Sequence, residues 1–143
     1  MSTPDPSTEP QPTTQPDGQR ALDTGTALGP YSPAIISNGV CYVSGQGGMD
    51  FATGEIVTGG IGPETRQTMR NIENILALGG MTLADVLTVT CYLVDIDEWA
   101  AMNEEYATFF TSDRPLPART AIAVAALPKG IRVEITATAR APY

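Results

Sequence analysis

The stretch Leu116–Ala139, LPARTAIAVAALPKGIRVEITATA, contains two strand-like runs separated by Pro128-Lys129-Gly130. In the second run, apolar residues at every second position from Ile131 alternate with polar ones. A period of two puts the apolar set on one face of a β-sheet and the polar set on the other. The stretch therefore predicts two C-terminal strands, the second of them half-buried.

Each of these two runs carries one charged residue of chemical interest. Arg119 opens the first run directly after Pro117-Ala118, and its guanidinium fork suits a carboxylate. Glu134 lies on the polar face of the second run. The pair is either an anion clamp with an acid–base group or two rim charges on a half-solvated sheet. Spacing alone favours the rim charges, because strands commonly carry such residues.

Further short motifs accompany this stretch in a characteristic order. They are Gly29-Pro30-Tyr31-Ser32, Ser44-Gly45-Gln46, Thr53-Gly54-Glu55, Thr65-Arg66-Gln67 and Met102-Asn103-Glu104-Glu105-Tyr106, followed by Pro117-Ala118-Arg119-Thr120, Val124–Gly130 and Val133-Glu134-Ile135. Each motif alone is unspecific, but their common order resembles the Rid family of reactive intermediate deaminases, also called YjgF. The resemblance spans residues 28–139.

The predicted element order is β-β-α-β-α-β-β, which indicates an α+β fold with two helices on one face of a mixed sheet. A tight hairpin over Pro128-Lys129 would leave Arg119 and Glu134 ~13 Å apart along the strands. The resemblance implies a different arrangement, a chorismate-mutase-like (YjgF-like) homotrimer. In such a trimer the last strand lies elsewhere in the sheet and the sites lie between subunits.

The resemblance also implies a reaction, the hydrolysis of reactive 2-imino acids or enamines to 2-keto acids and ammonia. Arg119 would bind the substrate carboxylate, and the backbone of Ala121 would help to hold the imine end. Glu134 would orient a water molecule and move protons. An imine is already activated, so this chemistry requires no metal, no cofactor and no covalent nucleophile.

Four more residues are candidates for substrate binding: Tyr31, Gly45, Gly47 and Asn103. Each also has a structural interpretation, as a half-buried aromatic residue, flexible glycines or a helix-surface amide. The family usually has a bulkier residue and a proline where Gly47-Gly48 stands here. This departure predicts a wider or looser pocket wall.

Composition limits the possible functions. The net charge of −8 and a sequence pI of about 4.3 argue against binding to nucleic acid or anionic membranes. The absence of histidine excludes histidine-based triads and the usual zinc sites. Cys41 and Cys91 fall in predicted strands without CxxC spacing, which indicates two buried, reduced thiols in a cytoplasmic protein. No apolar segment typical of a signal peptide follows Met1.

The chain divides into a Pro/Thr-rich tail over residues 1–26, predicted to be disordered, and a single Rid-like domain over residues 27–143. Deleting the tail up to about Asp23 is expected to leave stability and activity nearly unchanged. Asn38-Gly39 predicts a hairpin turn, Pro63 begins a first helix, and Val86–Val94 predicts a strand buried on both faces. A second helix follows, with an apolar stripe interpreted as core: Trp99, Met102, Tyr106, Phe109 and Phe110.

Three other functions remain open at this point. One is a non-catalytic trimer that binds a small ligand for regulation, which a looser wall at Gly47-Gly48 would favour. Another is a specialised deaminase of a biosynthetic pathway. A ribonuclease is the least favoured, because the chain is acidic and lacks histidine.

Overall fold

The structure, a computed structural model, describes residues 18–25 and 28–142. Its strands and helices follow one another in this order: β1 Arg20–Leu22, β2 Ala34–Ser37, β3 Val40–Gln46, β4 Met49–Asp50, β5 Glu55–Ile56, α1 Ile61–Leu78, β6 Val86–Leu93, α2 Trp99–Ala107, β7 Ala118–Ala123 and β8 Val133–Arg140. In the described part of the chain, no helix has the length and apolar character needed to cross a membrane.

Six strands form one mixed sheet in the order β1-β2-β3-β8-β6-β7, and β4 and β5 form a separate short hairpin. All neighbours in the large sheet are antiparallel except β6 and β7, which are parallel. Helix α1 packs against β3 and β8, and α2 packs against α1. The α+β class, the mixed sheet and the two helices are therefore confirmed.

The core lies between the helices and one face of the sheet. On β8 the side chains of Val133, Ile135, Ala137 and Ala139 are buried in alternation with partly exposed polar neighbours. Helix α1 contributes the apolar stripe that covers them: Met69, Ile72, Ile75 and Leu76. Burial of these two periodic surfaces against each other supplies the main hydrophobic stabilisation.

Strand β8 lies in the middle of the sheet, away from its sequence neighbour β7. Strand β6 pairs with both of them, antiparallel to β8 and parallel to β7. The connection between β7 and β8 includes a 3₁₀ turn at Pro128–Gly130, where Lys129 adopts a left-handed conformation with φ of 59°. The tight hairpin is thus absent, as the resemblance implied.

The predicted Asn38-Gly39 turn is confirmed, with φ of 50° and 75° at the two residues, values typical of a two-residue hairpin. The prediction that the strand starting at Val86 is buried on both faces is wrong for the single chain. Leu87 is 47% exposed, because both helices cover the same face of the sheet. The other face remains open.

The ordered fold begins earlier than the predicted boundary at residue 26. Strand β1 pairs with β2 from Arg20 to Leu22, and the Leu22 side chain is only 5% exposed. The sequence around this edge strand has few apolar residues, so no strand was predicted there. Leu22 is its one buried apolar side chain of any size. A deletion up to about Asp23 would remove β1, so the expectation that it leaves stability unchanged is now restricted to the residues before Arg20. Residues 1–17 lie outside the described part of the chain, so disorder there stays a prediction.

We expect Leu22→Ala to lower the free energy of unfolding by roughly 2–5 kcal/mol, because it removes a buried side chain from the core. The matched control is Leu78→Ala, since Leu78 is 54% exposed at the end of α1. That control should change stability by less than about 0.5 kcal/mol. Denaturant unfolding measures both, and equal small effects would show that β1 adds nothing to the fold.

Candidate functional site

Glu134 lies on the open face of the sheet, opposite Tyr92 on the neighbouring strand. It borders a cavity of about 280 Å³ together with three other predicted site residues, Tyr31, Gly45 and Gly47. The remaining wall is mostly apolar: Leu28, Met49, Ile56, Pro128, Lys129 and Ile131. We call Tyr31, Gly45, Gly47 and Glu134 the acidic half-site.

The Glu134 carboxylate occupies the space that a side chain at position 45 would need. A Cβ atom there would lie 2.8 Å from Cδ and from Oε2 of Glu134. Real Cβ atoms do not approach other atoms so closely. With glycine at position 45, the carboxylate can lie close to the backbone of β3, and a larger residue there would displace it.

The expected loose wall at Gly47-Gly48 is not observed. The space that a Cβ atom of Gly47 would need is filled by Ile131, whose Cδ1 lies 2.7 Å from that position. A Cβ atom on Gly48 would lie 2.9 Å from Cα of Glu64. The Ile131 side chain and helix α1 therefore fill the space that the two glycines leave beside the cavity wall. This closed wall weakens the support for a non-catalytic binding trimer.

Helix α1 fastens this wall through a buried amide that sequence reasoning missed. Asn71 Nδ2 donates hydrogen bonds to the carbonyl oxygens of Gly47 and Met49, at 3.1 and 2.9 Å. Gln67 Nε2 in turn donates to Asn71 Oδ1 at 2.9 Å. Buried polar groups satisfied in this way hold a backbone in one conformation. The sequence signal that could have identified Asn71 is its position as a polar residue next to the apolar stripe of α1.

A second contact from α1 holds the start of β8. The backbone N–H of Arg132 donates to Oε1 of the buried Glu64 at 2.9 Å. The Arg132 side chain pairs with Glu98 at 2.7 Å. The segment that carries Glu134 is therefore anchored to both helical elements beside it.

Burial raises the pKa of Glu134 above its ordinary value. Its desolvation disfavours the charged form. A carboxyl group with a raised pKa exchanges protons closer to neutral pH, as a general acid–base group must. Its position and its electrostatics therefore both suit proton transfer.

Arg119 and Ala121 are two residues apart on β7, and Asn103 lies on α2 between Trp99 and Tyr106, the two aromatic residues next to Arg119. We call these three residues the arginine half-site. The Arg119 Cζ atom lies 4.9 Å from the ring centroid of Tyr106 and 5.9 Å from that of Trp99. The buried Oδ1 of Asn103 has no hydrogen-bond partner among the described residues. The sequence interpretation of Trp99 and Tyr106 as plain core residues missed their contact with Arg119.

The two half-sites of one chain do not meet. In the sheet, Arg119 lies opposite Val89, and Val89 lies opposite the buried Ala137, so these three side chains share one face. Glu134 lies opposite Tyr92. Arg119 thus points to the helix-covered face and Glu134 to the open face. They are also separated by about 10 Å along the strands and about 10 Å across them. A site that uses both residues needs two chains.

The cysteines and potential metal ligands add no further chemistry. Both cysteines are buried and free, as predicted, and burial raises the pKa of Cys91 to about 11. Such a thiol stays protonated at neutral pH and is a poor nucleophile. Over the described ranges, no cluster of three acidic or cysteine side chains could hold a metal ion.

Comparison with known proteins gives consistent matches over the whole described domain. A family model described as endoribonuclease L-PSP matches residues 21–141. The chain is 43% identical to the human 2-iminobutanoate/2-iminopropanoate deaminase over 113 residues, which cover 79% of this chain and 81% of that protein.

Solved structures with a similar fold include a Rid-family protein. The Rid-family protein YyfA from Yersinia pestis superposes with a TM-score of 0.81 at 36% identity, covering 85% of this chain and 98% of that one. TdcF from E. coli, solved with bound serine, has a TM-score of 0.79 at 29% identity, with coverage of 85% and 98%.

The raised pKa of Glu134 predicts a pH-dependent gain in stability for Glu134→Gln. A carboxyl group whose pKa is raised on folding contributes stability below its unfolded pKa, and this contribution is lost as pH rises through the folded pKa. The variant should therefore melt above the wild type at pH 7, and the gain should vanish well below 4.5, the ordinary pKa.

Thermal melts across this pH range test that expectation. Glu55→Gln is the control, because Glu55 is exposed on β5. A gain that persists in acid, or one equally large in the control, would contradict an effect of burial at Glu134.

Proposed function

The chain belongs to the Rid family, whose family model is described as endoribonuclease L-PSP, and we propose that it hydrolyses reactive 2-imino acids and enamines to 2-keto acids and ammonia. The observation that carries this proposal is the convergence of Tyr31, Gly45 and Glu134 on one cavity. Its support from outside the structure is the 43% identity to a deaminase of such imines.

Arg119 is proposed to bind the substrate carboxylate. A guanidinium forms two parallel hydrogen bonds with a carboxylate, which fixes the orientation of the ligand as well as its charge. Two residues further along the edge strand, the backbone of Ala121 would hold the imine end. The unpaired Oδ1 of Asn103 is an acceptor suited to the N–H of the same group.

Glu134 is proposed to act on water. It takes a proton from a water molecule that adds to the imine carbon and returns that proton to nitrogen, which gives a carbinolamine. It then takes the hydroxyl proton of the carbinolamine and delivers it to nitrogen as the carbon–oxygen double bond forms and the carbon–nitrogen bond breaks. The products are the 2-keto acid and ammonia. Tyr31 and the thin backbone at Gly45 and Gly47 shape the cavity in which this occurs.

The complete site is proposed to form between subunits of a homotrimer. Arg119 and Glu134 lie on opposite faces of one sheet, so the acidic half-site of one chain would meet the arginine half-site of the next. The open sheet face includes exposed apolar side chains, Tyr42 and Ile122 among them. Such a face is suited to burial in an interface.

Ribonuclease activity, which the description of the family model suggests, fits this chain poorly. A net charge of −8 opposes the approach of RNA. We therefore propose small 2-imino or 2-keto carboxylates as ligands, without nucleic acid, membrane, metal or cofactor. The two free, buried cysteines suit the reducing cytoplasm, where we place the protein.

The direct test couples the purified protein to a threonine or serine dehydratase, which releases the imine, and follows imine decay and ammonia release. Faster decay than in buffer supports the enzyme. An unchanged decay rate combined with tight binding of 2-oxobutanoate would favour the non-catalytic binding trimer instead.

We expect Gly45→Ala to lower the rate by roughly 10²–10⁴, the usual worth of an acid–base group, because the added methyl displaces the Glu134 carboxylate. Gly62→Ala is the matched control, since an added Cβ there meets no atom within 4 Å. Both variants should stay folded by circular dichroism. Normal turnover in Gly45→Ala would show that the position of the Glu134 carboxylate beside Gly45 does not matter for catalysis.

Mixing two inactive variants tests the intersubunit site. Arg119→Ala and Glu134→Gln should each abolish turnover alone. Refolded together in equal amounts, they should recover about a quarter of the wild-type rate, because each interface in a ring combines the two intact half-sites with that probability. Light scattering checks the trimer mass, and no recovery in mixed trimers would place both groups in one chain.

A further inference from the structure

Arg119 has no acidic partner in the described part of the chain, although two other arginines beside α2 do. Arg66 pairs with Glu105 at 2.6 Å, and Arg132 pairs with Glu98 at 2.7 Å. Among the residues that the structure describes, no carboxylate lies within ion-pair distance of Arg119. The two glutamates nearest in sequence to its aromatic neighbours are thus already engaged by other arginines.

Aromatic rings take the place of a carboxylate beside Arg119. Trp99, Asn103 and Tyr106 are spaced i, i+4 and i+7 on α2, so the helix presents them on one face. The Arg119 guanidinium carbon lies 4.9 Å from the Tyr106 ring centroid and 5.9 Å from the Trp99 ring centroid. Both distances lie within the range of cation–π contacts.

We propose that Trp99 and Tyr106 are positioning residues that orient Arg119 for the carboxylate of the substrate. A glutamate in their place would also orient the guanidinium, but it would occupy the donor fork and neutralise the charge. Aromatic faces attract the cation through their quadrupole and leave its N–H groups free to bind a ligand. The inference rests on the proposed function of Arg119 as the carboxylate clamp.

The contact with Tyr106 is made by its ring. The Tyr106 hydroxyl is buried and has no hydrogen-bond partner among the described residues. Burial also raises the pKa of Tyr106 to about 12, so the residue is neutral at physiological pH. Removing the hydroxyl should therefore leave the orientation of Arg119 intact, whereas removing the ring should not.

Trp99 provides the cleaner test, because it is 44% exposed and its replacement leaves the core unchanged. Trp99→Leu should raise the KM for the imine and the Kd for 2-oxobutanoate by roughly two- to fivefold, the factor that corresponds to one cation–π contact at an exposed site. The kcat should change much less, since Glu134 is untouched. Trp99→Phe restores a ring and should recover most of the affinity.

Ile96→Ala is the control for loss of an exposed apolar side chain on the same segment, and it should leave the Kd unchanged. Tyr106→Phe and Tyr106→Leu form a second matched pair at a position that is 6% exposed. Only the leucine variant should weaken binding. Melting curves show whether Tyr106→Leu remains folded. If it does not, the comparison of Trp99→Leu with Trp99→Phe decides whether an aromatic ring orients Arg119.

Binding is measurable without turnover by calorimetric titration with 2-oxobutanoate, which gives the Kd of every variant, including those at position 99. In chains that keep Trp99, the single tryptophan of the sequence, its emission gives a second readout. Titration with 2-oxobutanoate should change its emission in the wild type and leave it unchanged in Arg119→Ala. If the wild type binds 2-oxobutanoate in this way but hydrolyses no imine, the proposed function fails and the positioning of Arg119 stands. Wild-type affinity in Trp99→Leu, or an emission change that persists in Arg119→Ala, would overturn the inference.

Discussion

The placement of β8 between β3 and β6 is the constraint on which the rest of the molecule depends. Strict alternation along this strand buries Val133 and Ile135 under α1 and turns Glu134 to the open face. Because β6 separates β8 from β7, Arg119 lies two strands away and on the other face. The same pairing that builds the core therefore keeps Arg119 and Glu134, the two proposed site residues of one chain, apart.

Within residues 18–25 and 28–142, no ion pair is formed by Glu134 or Arg119. The Glu134 carboxylate lies in the space beside Gly45, and its burial raises its pKa. Arg119 lies against two aromatic rings. A direct ion pair would hold the proposed acid–base group in its ionised form and occupy the donors of Arg119, since opposite charges stabilise the ionised forms of both partners. The ion pairs of this region instead fasten helices, as between Arg66 and Glu105.

Helix α1 links the core to the cavity wall. Its apolar stripe packs on the sheet, and its polar residues Asn71 and Glu64 hold the backbone near Gly47 and at Arg132. A buried amide or carboxylate left without these partners would lower the stability of the fold. A shift of α1 would therefore disturb both the backbone near Gly47 and the start of β8. Packing of the core and shape of the cavity are in this way coupled through one element.

Local patterns in the sequence determined much of this architecture. Period-two alternation identified β8, Asn38-Gly39 identified the hairpin, and the ordered motifs identified the candidate residues, from Tyr31 to Glu134. These signals are local because the strand period, the hairpin turn and the helical period each depend on residues a few positions apart. Edge strand β1 escaped detection because it is short and lies in a polar segment.

Only the tertiary structure decided which strands are neighbours, which face each side chain occupies and what surrounds it. The pairing of β6 with both β7 and β8 joins residues distant in the chain, and no local period records that choice. The aromatic contacts of Arg119, the hydrogen bonds of Asn71 and the filling of space beside Gly47 likewise arise between separate elements. Such contacts follow from how whole surfaces pack together, and packing is a property of the assembled chain.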